Sequence, residues 1–173
     1  MRKANAVRLL DAAGVTYTLH EYDISMEEFS AEAVADLIGL PRAHVFKTLV
    51  ATGRDTGPCF AVVPAGTGVD LGALATARRD KRMEMVPLRD VEPLTGYLRG
   101  GVTALGARKR FAVVLDASAA DLDAIAVSAG VKGLQVSLAT SAYVQMTGAT
   151  LSPIAAEPAA AAGESGQGLT GSG

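Results

Sequence analysis

Lys47 is the residue whose setting is hardest to explain by packing alone. It stands in the middle of Val45-Phe46-Lys47-Thr48-Leu49-Val50. Strand alternation puts it on one face with Val45 and Leu49 and sets Phe46, Thr48 and Val50 on the other. A lysine there either guards an edge strand against stray pairing or aims an ammonium into a cleft. The chain uses 11 Arg and only 5 Lys, so a lysine at this point suggests work that a guanidinium cannot do. The second unusual stretch is Arg99-Gly100-Gly101-Val102-Thr103-Ala104-Leu105-Gly106-Ala107-Arg108-Lys109-Arg110. A phosphate-binding loop of the nucleotide hydrolases needs Lys-Ser/Thr after its last glycine, and Ala107-Arg108 stand there instead, which excludes that class. Consecutive glycines still let backbone N–H groups approach an anion or a carbonyl oxygen, with Arg99 and residues 108–110 adding positive charge. A tight turn with a solvated basic face is the alternative.

No conventional nucleophile stands out. Cys59 lies between Pro58 and Phe60 at the start of an apolar run, a setting for a small core residue. His20 and Tyr22 alternate on the polar side of a strand, which predicts a surface pair. No Gly-x-Ser-x-Gly elbow is present. One cysteine and two histidines exclude an internal disulfide framework and a multi-thiolate metal site, so no metal and no cofactor are expected.

Charge is unevenly spread. Residues 1–77 carry 6 basic and 9 acidic side chains, residues 78–110 carry 9 and 4, and residues 111–173 carry 1 and 5. An acidic protein with one basic segment, centred on Arg78, Arg79, Lys81 and Arg82, can present a local anion-binding face. No apolar run approaches the ~18–20 residues of a membrane span. Arg8 and Asp11 interrupt any signal-peptide core. A soluble cytoplasmic protein is expected.

The elements that must position these groups read as an α+β single domain over residues 1–154, a mixed, mainly antiparallel sheet or partly closed barrel with flanking helices. The pattern predicts a helix over 5–13 stopped by Gly14, and a strand over 15–22 with Val15, Tyr17 and Leu19 inward. Ser30 should cap a helix closed by Gly39, and Asp70 a helix over 71–77. Strands are expected at 45–51, 59–64, 83–87, 111–116, 124–130 and 133–138. A short helix ends at Thr95-Gly96, and Thr140 should cap the last one. Residues 155–173 turn Ala/Gly-rich and read as a disordered tail.

Taken together, several blocks resemble the YbaK/EbsC-type Cys-tRNA(Pro)/Cys-tRNA(Cys) deacylases, relatives of the editing domain associated with prolyl-tRNA synthetase. They are N-A-V-R-L-L-D, Y-T-L-H-E-Y (17–22), I-G-L-P-R-A-H-V-F-K-T-L-V (38–50), K-R-M-E-M-V (81–86) and T-G-Y-L-R-G-G-V-T-A-L-G-A-R-K-R (95–110). I-A-V-S-A-G (125–130) and K-G-L-Q-V-S-L (132–138) complete the set. The resemblance implies trans-editing, the removal of cysteine from Cys-tRNA(Pro) and from Cys-tRNA(Cys). Lys47 matches the family's central functional lysine. Tyr22, Phe29, Gly100, Gly101, Ser128 and Gln135 fall at substrate-binding positions. Arg78, Arg79, Lys81, Arg82 and Arg108 would face tRNA. Relatives often carry Asp where Gln135 stands here, so this chain places a neutral side chain there. The resemblance also implies that the substrate's own thiol attacks its ester, which accounts for the missing protein nucleophile. Aminoacyl-tRNA is the expected partner, with prolyl-tRNA synthetase as a second. Water-driven editing of another ester such as Ala-tRNA(Pro), or a non-catalytic tRNA- or synthetase-binding module, are the competing readings.

Overall fold

The computed structural model of the chain describes residues 4–23, 30–107 and 109–157. Helix α1 (Asn5–Ala12) buries Ala6, Val7 and Leu10, one stripe of an amphipathic helix. Strand β1 (Tyr17–Glu21) is the outer strand of a three-stranded antiparallel sheet in the order β1-β8-β7, with β7 Ala124–Ser128 and β8 Leu134–Ala139. Helix α2 (Ala31–Ile38) starts as expected, Ala33 N–H donating to Ser30 Oγ at 3.1 Å, and ends at Gly39 with φ 76°.

The second sheet has five strands in the order β5-β2-β3-β6-β9. Strands β2 (Phe46–Gly53) and β3 (Gly57–Pro64) form its hairpin, with Lys47 opposite Val63. The two-residue β4 (Gly68–Val69) leads to α3 (Leu71–Arg78), whose start is held by Ala73 N–H donating to Asp70 Oδ1 at 3.0 Å. Strand β5 (Met83–Met85) covers β2 only at Ala51–Gly53. Helix α4 (Leu88–Thr95) precedes the Gly-rich stretch, and β6 (Ala112–Asp116) and β9 (Thr150–Ser152) join the sheet in parallel. Helix α5 (Thr140–Thr147) lies between β8 and β9. Among the described residues a single bridge, Val45 to Ala126, links the two sheets, and no barrel closes.

Alternation along β3 separates two of the core's clusters. Phe60 and Val62 pack toward the three-stranded sheet, α1 and α5, with Leu10, Val127, Val136 and Tyr143. Cys59, Ala61 and Val63 pack on the other face against Leu74 of α3, Met83 and Ile154. The α+β single domain is as expected from sequence.

Three local expectations need correcting. Leu19 is 43% exposed and His20 half-buried, because β1 is an outer strand with modest cover on both faces. Thr140 does not cap α5 with its side chain; its hydroxyl donates to Leu122 O at 2.7 Å, tying the helix start to the segment before β7. The expected boundary after 154 falls inside a pairing. Ala155–Ala156 form β10 against β4, and Asp116 accepts from Ile154 N–H and Ala155 N–H at 2.9 and 2.8 Å. The stretch expected to be a disordered tail lies outside the described residues from 158 onward.

Candidate active site

The site follows from a gap in strand pairing. Val86 N–H donates to Val50 O at 3.0 Å and Ala65 N–H to Val45 O at 2.7 Å. Even-numbered residues of β2 therefore turn their main-chain groups toward β5 and odd-numbered ones toward β3. Since β5 stops covering β2 at Ala51 and β7 bridges it only at Val45, Thr48 faces a side with no partner strand among the described residues. Lys47 is thus not on an edge strand but on an interior one, in a short stretch that is paired on one side only. Its free side, however, opens on a cavity and not on bulk surface.

That cavity has a volume of about 460 Å³, within the usual range for a small-molecule site. Its walls are β2 from Phe46 to Val50, the start of α2 at Ser30–Glu32, Met85 at the end of β5 with Val86 after it, and Arg99–Gly100 with Val102. Tyr22, Ser128 and Gln135 close it from the three-stranded sheet. Among the described residues Lys47 has no hydrogen-bond or ion-pair partner, so its half-buried ammonium is available to a ligand. Ser128 Oγ accepts from Gly130 N–H at 3.1 Å, which leaves the hydroxyl proton to donate. Gln135 is the register partner of Ser128 and is 6% exposed. Neither histidine nor cysteine lines this cavity among the described residues.

Five expected site residues, Lys47, Tyr22, Gly100, Ser128 and Gln135, therefore converge on one wall-to-wall space. Tyr22 is in the site and not on a free surface as its alternation suggested. Gly101 is placed differently: it does not line the cavity, and its N–H donates to Leu98 O at 2.9 Å, closing a turn. A Cβ at Gly101 would sit 3.2 Å from Gly130 O and Val131 Cα. Its lack of a side chain lets two loops meet, and the neighbouring Gly100, with φ 87°, carries the backbone that faces the cavity. Phe29 and Arg108 lie outside the described residues.

The basic residues do not act as one patch. Arg79, Lys81 and Arg82 are exposed around Asp80, Arg82 within 3.7 Å of Glu84. Arg78 is half-buried, with its Nε enclosed and the guanidinium beside the Cys59 thiol. Burial pushes that thiol up despite the neighbouring cation, so Cys59 is a core residue and a poor nucleophile. Sequence reasoning missed Thr48 and Glu32 on the cavity wall. Thr48 carried a signal, being the one hydroxyl on the face it shares with Phe46 and Val50.

Comparison with known proteins decides the family. Residues 27–146 match the aminoacyl-tRNA editing domain. A protein of Enterococcus faecalis, named as a candidate Cys-tRNA(Pro)/Cys-tRNA(Cys) deacylase, is 41% identical over 146 residues, covering 84% of this chain and 89% of its own. The chain belongs to the aminoacyl-tRNA editing domain family. Aminoacyl-tRNA deacylation is accordingly its class of activity. Two solved structures share the editing-domain fold. One, of a hypothetical protein, has a TM-score of 0.78 at 18% identity and covers 87% of this chain and 99% of its own. The other, described as a candidate trans-editing enzyme for prolyl tRNA synthetase, has a TM-score of 0.73 at 19% identity, covering 89% and 98%. No helix among the described residues of this editing domain is long and apolar enough to cross a membrane.

Proposed function

We propose that this chain is a cytoplasmic trans-editing deacylase that removes cysteine from Cys-tRNA(Pro), and also acts on Cys-tRNA(Cys), by a reaction in which the substrate supplies the nucleophile. The observation that carries this reading is the cavity itself. It offers an unpartnered ammonium at Lys47 and a donor hydroxyl at Ser128, without a histidine or cysteine on its described walls. Such a site can orient and stabilise, and lacks the usual means to activate a protein nucleophile.

The cysteinyl sulfur adds to its own ester carbonyl and the C–O bond to the ribose breaks. The thiol proton ends on the released ribose hydroxyl. Free tRNA and a four-membered thiolactone leave, and water opens the thiolactone to cysteine. The protein's part is to hold sulfur and carbonyl in a near-attack geometry and to meet the developing oxyanion with fixed donors. Lys47 anchors the terminal ribose–phosphate or polarises the ester, with Ser128 and the backbone at Gly100 as neighbours. Gly101 serves by packing. Arg79, Lys81 and Arg82 border the far end of β2, and the strand from Lys47 to Gly53 spans roughly 20 Å. That separation suits an acceptor stem running away from its bound 3′ end, a contact made to phosphates and sensitive to salt. With few means of reading tRNA sequence beyond this, selectivity for proline tRNA would come from docking on prolyl-tRNA synthetase.

Deacylation of Cys-tRNA(Pro), Ala-tRNA(Pro) and Ser-tRNA(Cys) by the purified protein tests the reading. Loss of cysteine alone is expected. Cleavage of the alanyl ester would indicate water-driven editing, and cleavage of none would leave a tRNA- or synthetase-binding module.

A further inference from the structure

Two polar atoms in the cavity wall are buried with nothing to bond to. Thr48 Oγ1, on a residue 8% exposed, and Gln135 Oε1, on a residue 6% exposed, have no hydrogen-bond partner. Both residues line the same cavity, Thr48 from β2 and Gln135 from β8. Leaving a buried polar atom unpaired is costly, and two on residues that line one cavity point to a ligand that satisfies them. An amide oxygen only accepts and a threonine hydroxyl can accept, so the ligand must bring donors. In an aminoacyl ester the group with several donors is the α-ammonium, whose three N–H bonds suit two acceptors from different walls.

We propose that Thr48 and Gln135 hold the α-ammonium of the aminoacyl ester and so make a free amino group a condition of productive binding. This rests on the cavity being an aminoacyl-ester site. It goes further by naming the substrate class as esters with a free amine and excluding N-acylated ones, peptidyl-tRNA among them. An N-acyl group removes the charge and most of the donors, and leaves the two oxygens unpaired against a bulkier ligand. Glu32 also lines the cavity, from the first turn of α2, and is the competing anchor for an ammonium.

The test is calorimetric binding of 3′-cysteinylamino-3′-deoxyadenosine, which cannot be deacylated, and of its N-acetyl derivative. Wild type, Thr48→Val, Gln135→Met, Gln135→Glu and Glu32→Gln are compared, each with a thermal melt. Wild type should bind the free amine at least about tenfold more tightly than the acetylated form, the size expected of charge-assisted hydrogen bonds. Thr48→Val and Gln135→Met should each erase most of that preference while holding or raising the melting temperature, since they remove unpaired groups. A merely structural role would lower it. Gln135→Glu, which can only accept, should keep the preference. Equal binding of the two ligands by wild type overturns the proposal while leaving deacylation intact. Loss of the preference in Glu32→Gln with retention in the other variants overturns it in favour of Glu32. If neither ligand binds and no ester is cleaved, the ester-site reading fails and this proposal with it.

Discussion

Ser128 and Gln135 are direct register partners across β7 and β8, and both side chains reach the cavity that Lys47 enters from the other sheet. The site therefore spans two sheets joined by the bridge of Val45 to Ala126. Its geometry depends on how the loops around it are packed, Gly101 against Gly130–Val131 among them. Gly101→Ala should push these loops apart, because backbone atoms 3.2 Å away cannot swing aside as a side chain would. Overpacking of this kind costs about 1–3 kcal/mol. We expect kcat/KM for Cys-tRNA(Pro) to fall about tenfold or more with a cooperative melt retained. Unchanged kinetics would show that the loop contact does not set the site.

The basic segment should contribute to tRNA affinity and not to chemistry. Replacing Arg79, Lys81 and Arg82 by glutamine should weaken tRNA binding and flatten its dependence on salt, by about one unit of slope per lost phosphate contact. Cleavage of a minimal cysteinyl-adenosine ester should not change. Arg78→Gln should behave differently, with a smaller effect on the salt slope, because its Nε is enclosed beside Cys59. Filter binding at several salt concentrations separates the cases.

Asp80 organises that segment. Its carboxylate accepts from Thr56 Oγ1 at 2.5 Å, from the N–H groups of Thr56 and Asp55, and from Arg82 N–H. These bonds, the Thr56 hydroxyl first, hold the carboxyl well below the usual carboxylate range. A depressed carboxyl stabilises the fold above its unfolded pKa of about 3.9 and loses that contribution as pH falls toward the folded value. Asp80→Asn should therefore lower the melting temperature at pH 7, and the gap to wild type should narrow below about pH 4. A constant gap across pH would remove the charge from the explanation.

Tyr143 presents the opposite case. It is fully buried in the larger core, its hydroxyl has no partner, and burial pushes the phenol up. Tyr143→Phe deletes only the unpaired group, so stability measured by denaturant should stay level or rise by about 1 kcal/mol. A clear loss would mean that the hydroxyl is satisfied in solution.

Local signals were legible where the structure uses local chemistry. Ser30 and Asp70 cap their helices as spacing predicts, and Gly39 and Gly96 stop theirs with positive φ. Thr140 misleads for the same reason: it stands where a cap would, but its hydroxyl serves Leu122, a partner that no short window contains. Leu19 fits an alternating pattern, yet burial also depends on which strands lie beside β1. The meeting of Lys47 with Ser128 and Gln135 joins segments some eighty residues apart, and no periodicity encodes it. Family resemblance placed those residues together, while the cavity geometry brought in Thr48. A glycine pair suggests exposed N–H donors at Gly100–Gly101, whereas the fold spends the Gly101 N–H on Leu98.

The most direct test of the central claim is the rate of Cys-tRNA(Pro) deacylation by wild type and Lys47→Ala, each set beside S-methylcysteinyl-tRNA(Pro). Wild type should cleave the cysteinyl ester and little or none of the S-methyl ester, and Lys47→Ala should lose about 10²–10³-fold in rate with the melting temperature kept. Rapid cleavage of the S-methyl ester, or full turnover without the Lys47 ammonium, would contradict that claim.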